Sequence, residues 1–100
     1  MSEFNHSAID APRPRFSLGQ TVSTSNAFSA LDSHDAFAAL RRHVCGDWGE
    51  CGAEDWQMNE EALLSGGRLF SVYRDRSGTR FWIITEADRS ATTVLLPEDY

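Results

Sequence analysis

The reading of the fold turns on residues 68–96, RLFSVYRDRSGTRFWIITEADRSATTVLL. Leu69, Phe70, Val72 and Tyr73 make one aromatic and β-branched run, and Phe81, Trp82, Ile83, Ile84 and Thr85 make a second. Asp75, Arg76, Ser77 and Gly78 lie between them, and a Gly-containing turn between two such runs predicts a β-hairpin. The second run is apolar on both faces, which places it in the middle of a sheet rather than at an edge. A third strand is expected at Thr92 to Leu96, after the connection Ala87 to Ala91, and Pro97 ends it.

Working upstream, Phe16, Leu18, Gln20 and Val22 alternate with Ser17, Gly19, Thr21 and Ser23, a period of two that predicts another strand with one buried face. Ser23, Thr24, Ser25 and Asn26 then offer helix N-caps ahead of Ala27, Phe28, Ala30 and Leu31. A second helix is predicted over residues 34–44. Asp32 or Ser33 caps it, Phe37, Leu40 and Val44 recur at helical spacing, Arg41, Arg42 and His43 complement its carboxyl-terminal dipole, and Gly46 stops it. Gly46 to Asn59 reads as a loop, and Asn59 to Gly66 as one or two helical turns capped by Asn59. The expected class is α+β: a small antiparallel sheet of about four strands with a C-terminal meander and two or three short helices packed on one face. Residues 1–15, with Pro12 and Pro14, read as a disordered tail, and residues 16–100 as a single domain.

One hundred residues with 41% hydrophobic content suffice for one core and exclude a methyltransferase fold or a doubly wound nucleotide-binding sheet. No apolar run approaches a membrane span and the first twenty residues lack the stretch of a signal peptide, so a cytoplasmic location is expected. All nine basic residues are Arg, against fifteen acids, for a formal net charge of −6. Direct nucleic-acid binding is disfavoured on that balance, because phosphate contacts need Lys and Arg. Between His43 and Gly67 stand six acids (Asp47, Glu50, Glu54, Asp55, Glu60 and Glu61) and no Arg, so this quarter of the chain carries a charge equal to the whole excess. Such a segment either keeps a small domain in solution or presents a negative face to a basic partner. Trp48 and Trp56 lie within it, each either plugging back onto the core or standing at a binding surface.

Candidate chemistry is sparse. His43, Cys45 and Cys51 offer three zinc-type ligands in nine residues, with only His34 or His6 as a distant fourth, and structural zinc takes four. Two free thiols are the default for the cysteines. Asp47, Glu50, Glu54 and Asp55 beside His43 are the residue types of a Mg²⁺ site, but they fall in one predicted loop, where positions are poorly held. Thr85 to Ser90 suits turn duties, with a local Glu86–Arg89 ion pair, and Ser90 as a nucleophile needs a base that only His43 or His34 supplies. Phe70, Tyr73, Phe81 and Trp82 read as core rather than as a base-stacking platform, since little positive charge accompanies them. No cofactor is expected.

The stretches RHVCGDWGE (42–50), GGRLFSVY (66–73) and WIITEADRSATTVLLPEDY (82–100), together with FSLGQTVST (16–24), resemble a family of small plasmid-related proteins of bacterial mobile elements, over roughly residues 16–100. Some members are labelled as type I restriction subunits, a label this chain does not support, because it has neither the length nor the Asn-Pro-Pro-aromatic motif of an adenine methyltransferase. The resemblance implies a genomic setting, a small accessory gene, and no reaction. The expected function is a non-enzymatic interaction protein. Asp47, Trp48, Glu50, Glu54, Asp55, Trp56, Glu60 and Glu61 would dock on a basic, nucleic-acid-handling host protein such as a restriction or CRISPR effector. Two alternatives stay open: a metal-dependent enzyme or zinc module at His43, Cys45 and Cys51, and a homodimeric regulatory or antitoxin-like protein pairing at the sheet edge Thr92 to Leu96.

Overall fold

The computed structural model describes residues 13–100, so most of the expected tail lies outside the described residues. Arg13 to Arg15 belonged to that expectation, yet Arg15 is held: its amide donates to the Val44 carbonyl at 2.7 Å and its guanidinium clamps Glu60. The elements in order are β1 (Gln20–Ser23), α1 (Ser25–Ala30), α2 (Ser33–Val44), α3 (Ala53–Ser65), β2 (Leu69–Arg74), β3 (Arg80–Thr85) and β4 (Ala91–Leu95), followed by a 3-10 turn over Pro97–Asp99. The fold is α+β. Among the described residues no helix is long and apolar enough to cross a membrane.

The sheet order is β1-β4-β3-β2. The hairpin and the third strand form the expected antiparallel meander, with β3 inside it. The sheet as a whole is mixed, because β1 runs parallel to β4, which corrects the all-antiparallel expectation. It also removes the edge proposed at Thr92 to Leu96, since β4 is paired on both sides. β1 itself is shorter than the alternation suggested, and all four of its residues are exposed. Phe16 packs instead against the His43 and Trp48 rings.

Register and pleat together put Leu69, Ser71, Tyr73, Phe81, Ile83, Thr85, Thr92 and Val94 on one face. The helices cover that face, with Ala27 and Ala39 packing on Tyr73, Phe81, Ile83 and Val94, and Ala62 on Leu69 and Trp48. On the opposite face Phe70, Trp82 and Tyr100 contact one another edge to face, with ring centroids 5.0 and 5.6 Å apart. Thr24 caps α1 and Asp32 caps α2, as their side chains predict. Asp75 accepts the Asp32 amide and Arg76 chelates Asp35, so the hairpin turn is tied to the start of α2.

The segment read as a loop from Gly46 to Asn59 contains most of α3, which begins at Ala53 and ends at Gly66 in the left-handed conformation. Asn59 is not its cap. It is a buried mid-helix residue whose side chain accepts from the Phe70 amide at 3.0 Å and donates to the Phe70 carbonyl at 2.7 Å. Next along the same edge, Val72 exchanges backbone bonds with Trp48 and Glu50. Gly49 makes that approach possible, since its φ is 71° and a Cβ there would collide with the Val72 carbonyl. One amide side chain thus stands in for a neighbouring strand. Replacing Asn59 with Ala leaves the Phe70 amide without a partner and the Phe70 carbonyl with the Cys51 thiol alone, and an expected loss of about 2 kcal/mol in denaturant unfolding follows. Asn59→Asp should cost at least as much, because it keeps an acceptor and loses the donor; a loss below about 1 kcal/mol in either variant would mean that water substitutes for the amide.

Candidate functional site

The six acids of the 43–67 segment do not share one fate. Asp47 accepts both nitrogens of a fork from Arg42 at 2.8 and 3.2 Å, and that pairing holds its carboxyl below the usual range. Glu50 meets Arg74 at 3.0 Å, with Arg80 at 4.0 Å. Glu60 is clamped by Arg15 at 3.0 Å on each oxygen and also accepts the Trp48 indole N–H at 2.9 Å; the Arg15 bonds come first in lowering its pKa. Trp48 is completely buried and is a core plug, so it leaves the expected contact set. Asp47, Glu50 and Glu60 leave it too as free charges, because Arg42, Arg74 and Arg15 pair with them.

Glu54, Asp55 and Glu61 remain, all on α3, and no arginine is paired with them among the described residues. Ala53 to Met58 are exposed without interruption, with Met58 61% open and Trp56, at 37%, partly covered by the body. The reason is Asn59 and Ala62, which are the buried positions of this helix and lie in its second half. Glu54 and Asp55 in the first turn also suit the positive end of the helix dipole.

The metal reading fails on geometry. His43 is fully buried and spends both ring nitrogens on hydroxyls: Ser71 Oγ at 2.5 Å from Nδ1 and Thr85 Oγ1 at 2.9 Å from Nε2. The Cys51 thiol donates to the Phe70 carbonyl, and burial raises its pKa. Among the described residues no group of His, Cys, Asp and Glu gathers as a metal cluster, and both cysteines are free thiols. Ser90 is exposed in a turn bonded to Asp88, away from the buried His43, so the two do not form a nucleophile and base. The expected Glu86–Arg89 pair is replaced. Glu86 lies 3.5 Å from Arg68, while Arg89, at φ 63°, donates to the Ala62, Gly67 and Glu86 carbonyls and so caps the end of α3.

What the spacing concealed is a chain of hydroxyls through the core. Thr85 Oγ1 lies 2.7 Å from Thr92 Oγ1, which lies 2.7 Å from the Leu18 carbonyl. A carbonyl only accepts, so Thr92 donates to Leu18; Thr85 must then donate to Thr92, and His43 must donate from Nε2 to Thr85. That order fixes the proton on Nε2, and in the neutral ring Nδ1 accepts from Ser71, so that every member is satisfied. Burial, followed by the nearby Arg89 charge, lowers the His43 pKa to about 3. The signal available beforehand was a polar stripe: Ser71, Thr85 and Thr92 take inward positions that their strand neighbours fill with Leu69, Tyr73, Ile83 and Val94.

Protein-family models, curated proteins and solved structures contain no match to this chain.

A histidine that stays neutral in the fold, but titrates near 6.5 when unfolded, makes stability fall as pH drops through 6.5 and keep falling toward about 3. Between pH 7 and pH 5 this amounts to about 2 kcal/mol, before the Arg-paired carboxylates contribute at lower pH. Denaturant unfolding at the two pH values should show that difference, and His43→Gln, though less stable, should lose it. An unchanged slope in the variant would assign the pH dependence to other groups.

Proposed function

We propose that this chain is a non-enzymatic acidic interaction protein that docks through α3 on a basic, nucleic-acid-handling protein. The observation that carries the proposal is that Glu54, Asp55 and Glu61 are exposed on one helix without an arginine partner, beside Met58 and the partly open Trp56, while the other acids of the segment are paired with arginines. Carboxylates that no internal cation holds are the ones available to an external cation. An exposed indole among them suits stacking by an arginine of the partner.

Magnitude limits the mode of action. A DNA duplex carries one charge for about every 1.7 Å, whereas α3, at thirteen residues and about 20 Å, offers three free carboxylates. Such a helix blocks or occupies a basic surface rather than reproducing a duplex. A restriction or CRISPR effector is the partner type in keeping with the resemblance to mobile-element proteins, and a cytoplasmic setting accompanies it. Reading the chain as an interaction module rather than an enzyme rests on the same sites, where the reactive side chains are either buried in hydrogen bonds or held by arginines.

Affinity capture from the host, followed by binding kinetics on the recovered partner, tests the reading. The triple change Glu54→Gln, Asp55→Asn and Glu61→Gln should weaken binding by roughly tenfold or more at low salt, chiefly through the association rate, with the gap closing as salt rises. Asp47→Asn with Glu50→Gln should leave the interaction nearly intact. Equal capture by the triple variant, or a partner surface without basic residues, would overturn the proposal.

A further inference from the structure

The two edges of the sheet are treated differently. At β2, Trp48, Glu50 and Asn59 occupy the outward backbone groups of Phe70 and Val72. At β1, among the described residues, the only paired neighbour is β4. The Gln20 and Thr24 amides turn toward the β4 side, donating to the Ser90 and Val94 carbonyls at 3.0 Å. The alternation of a strand therefore directs the amide and carbonyl groups of Thr21 and Ser23 outward. Natural edge strands are commonly guarded by a charge, a proline or a bulge, and the sequence Gln-Thr-Val-Ser has none of these.

An apolar groove runs along the same edge, lined by Val22, Phe28, Leu31, Phe37 and Leu40. Phe28 is 80% exposed and Phe37 63% exposed, and no charged residue lines the groove. The unpaired carboxylates of the acidic segment are on α3, which packs against β2 at the other end of the sheet. A basic partner finds nothing to pair with here. A second copy of this chain meets no charged residue in the groove itself, and the nearest acid the hydrogen bonds place beside β1, Asp99, is held by Thr24 and Asn26.

We propose that the chain forms a two-fold symmetric dimer in which β1 pairs antiparallel with β1 of a second copy, joining the two sheets into one of eight strands. The edge is its own complement. With the axis at Val22, Thr21 of each copy faces Ser23 of the other, and the outward groups form four hydrogen bonds. An axis perpendicular to the sheet keeps both helix layers on one face, so Phe28 and Phe37 of the two copies close over the seam. At about 200 Å² for a phenylalanine, these exposures offer roughly 280 Å² per copy, about a third of the ~800 Å² per partner of a standard interface. Val22, which the register places with Thr93 on the opposite face, and the paired strands add further area, and a dissociation constant in the micromolar range is expected. This dimer leaves α3 uncovered and does not rest on the proposed function.

The test is sedimentation equilibrium of the full chain across the micromolar range. The expected mass is twice 11.2 kDa at the upper end, falling toward 11.2 kDa on dilution. Phe37→Glu, at an exposed position, should be monomeric with an unchanged circular dichroism spectrum and melting temperature. Leu64→Glu, 92% exposed on α3, should still dimerise. In the proposed register two Val22 residues form a non-hydrogen-bonded pair with Cα atoms about 4.5 Å apart, within disulfide reach. Val22→Cys should therefore give a covalent dimer on mild oxidation, above the background set by Cys45 and Cys51 in the parent. A parent chain that stays monomeric, a dimeric Phe37→Glu, a monomeric Leu64→Glu, or Val22→Cys crosslinking no better than the parent would each overturn the proposal.

Discussion

The constraint on which most of this structure depends is the accommodation of one neutral imidazole. His43 comes from the last turn of α2, Ser71 from β2, Thr85 from β3 and Thr92 from β4, while the Leu18 carbonyl comes from the arm that leads into β1. Four polar side chains buried without partners would cost several kcal/mol; joined in one ordered chain they cost little and define a single arrangement of the layers. No buried side-chain nitrogen or oxygen among the described residues lacks a partner. Phe16 and Trp48 each meet the imidazole edge to face, which closes the network against water and links it to the smaller apolar cluster under α3.

Arginine is the second organising element, and it acts by removing charge from the surface. Arg15–Glu60, Arg74–Glu50 and Arg76–Asp35 each join segments more than twenty residues apart, and two of these three pairs are two-bonded forks that an ammonium group would not reproduce. Each pair is partly exposed and individually weak. Their joint consequence is distributional. Within the acidic quarter of the chain, the carboxylates that no arginine holds are confined to α3.

The meander was legible because its residues carry a period and its turn carries Gly78, and β3 was recognisably interior because both of its faces are apolar. The ends of α2 were legible because Asp32, Asp35 and Gly46 are local signals that no tertiary contact overrides. α3 was misread for a definite reason. Its first turns face water and its principal inward residue is the polar Asn59, so no apolar stripe marks it until Ala62. The parallel pairing of β1 was illegible, since all its residues are exposed and the alternation that suggested a buried face belonged partly to Phe16, which packs elsewhere. Of the expected contact residues, Glu54, Asp55, Trp56 and Glu61 keep their place on an exposed helix. Asp47, Glu50 and Glu60 could not be sorted from them by spacing alone, because their arginine partners lie between five and forty-five residues away.

The closed edge and the displayed helix are consequences of the same side chain. By pairing with Phe70, Asn59 sets α3 alongside β2, and the pairing fixes which side of the helix is turned inward. Residues five and four positions earlier, Glu54 and Asp55, then extend beyond the sheet, where the body supplies no cation. A leucine at position 59 would bury well against the core but would leave the Phe70 amide open, leave its carbonyl to the Cys51 thiol alone, and lose the two bonds that hold the helix in register. Selection for an apolar contact alone therefore does not account for the residue. A buried amide does account for it, because it completes the sheet at that edge and at the same time orients Glu54 and Asp55, two of the three carboxylates on the segment that no arginine holds.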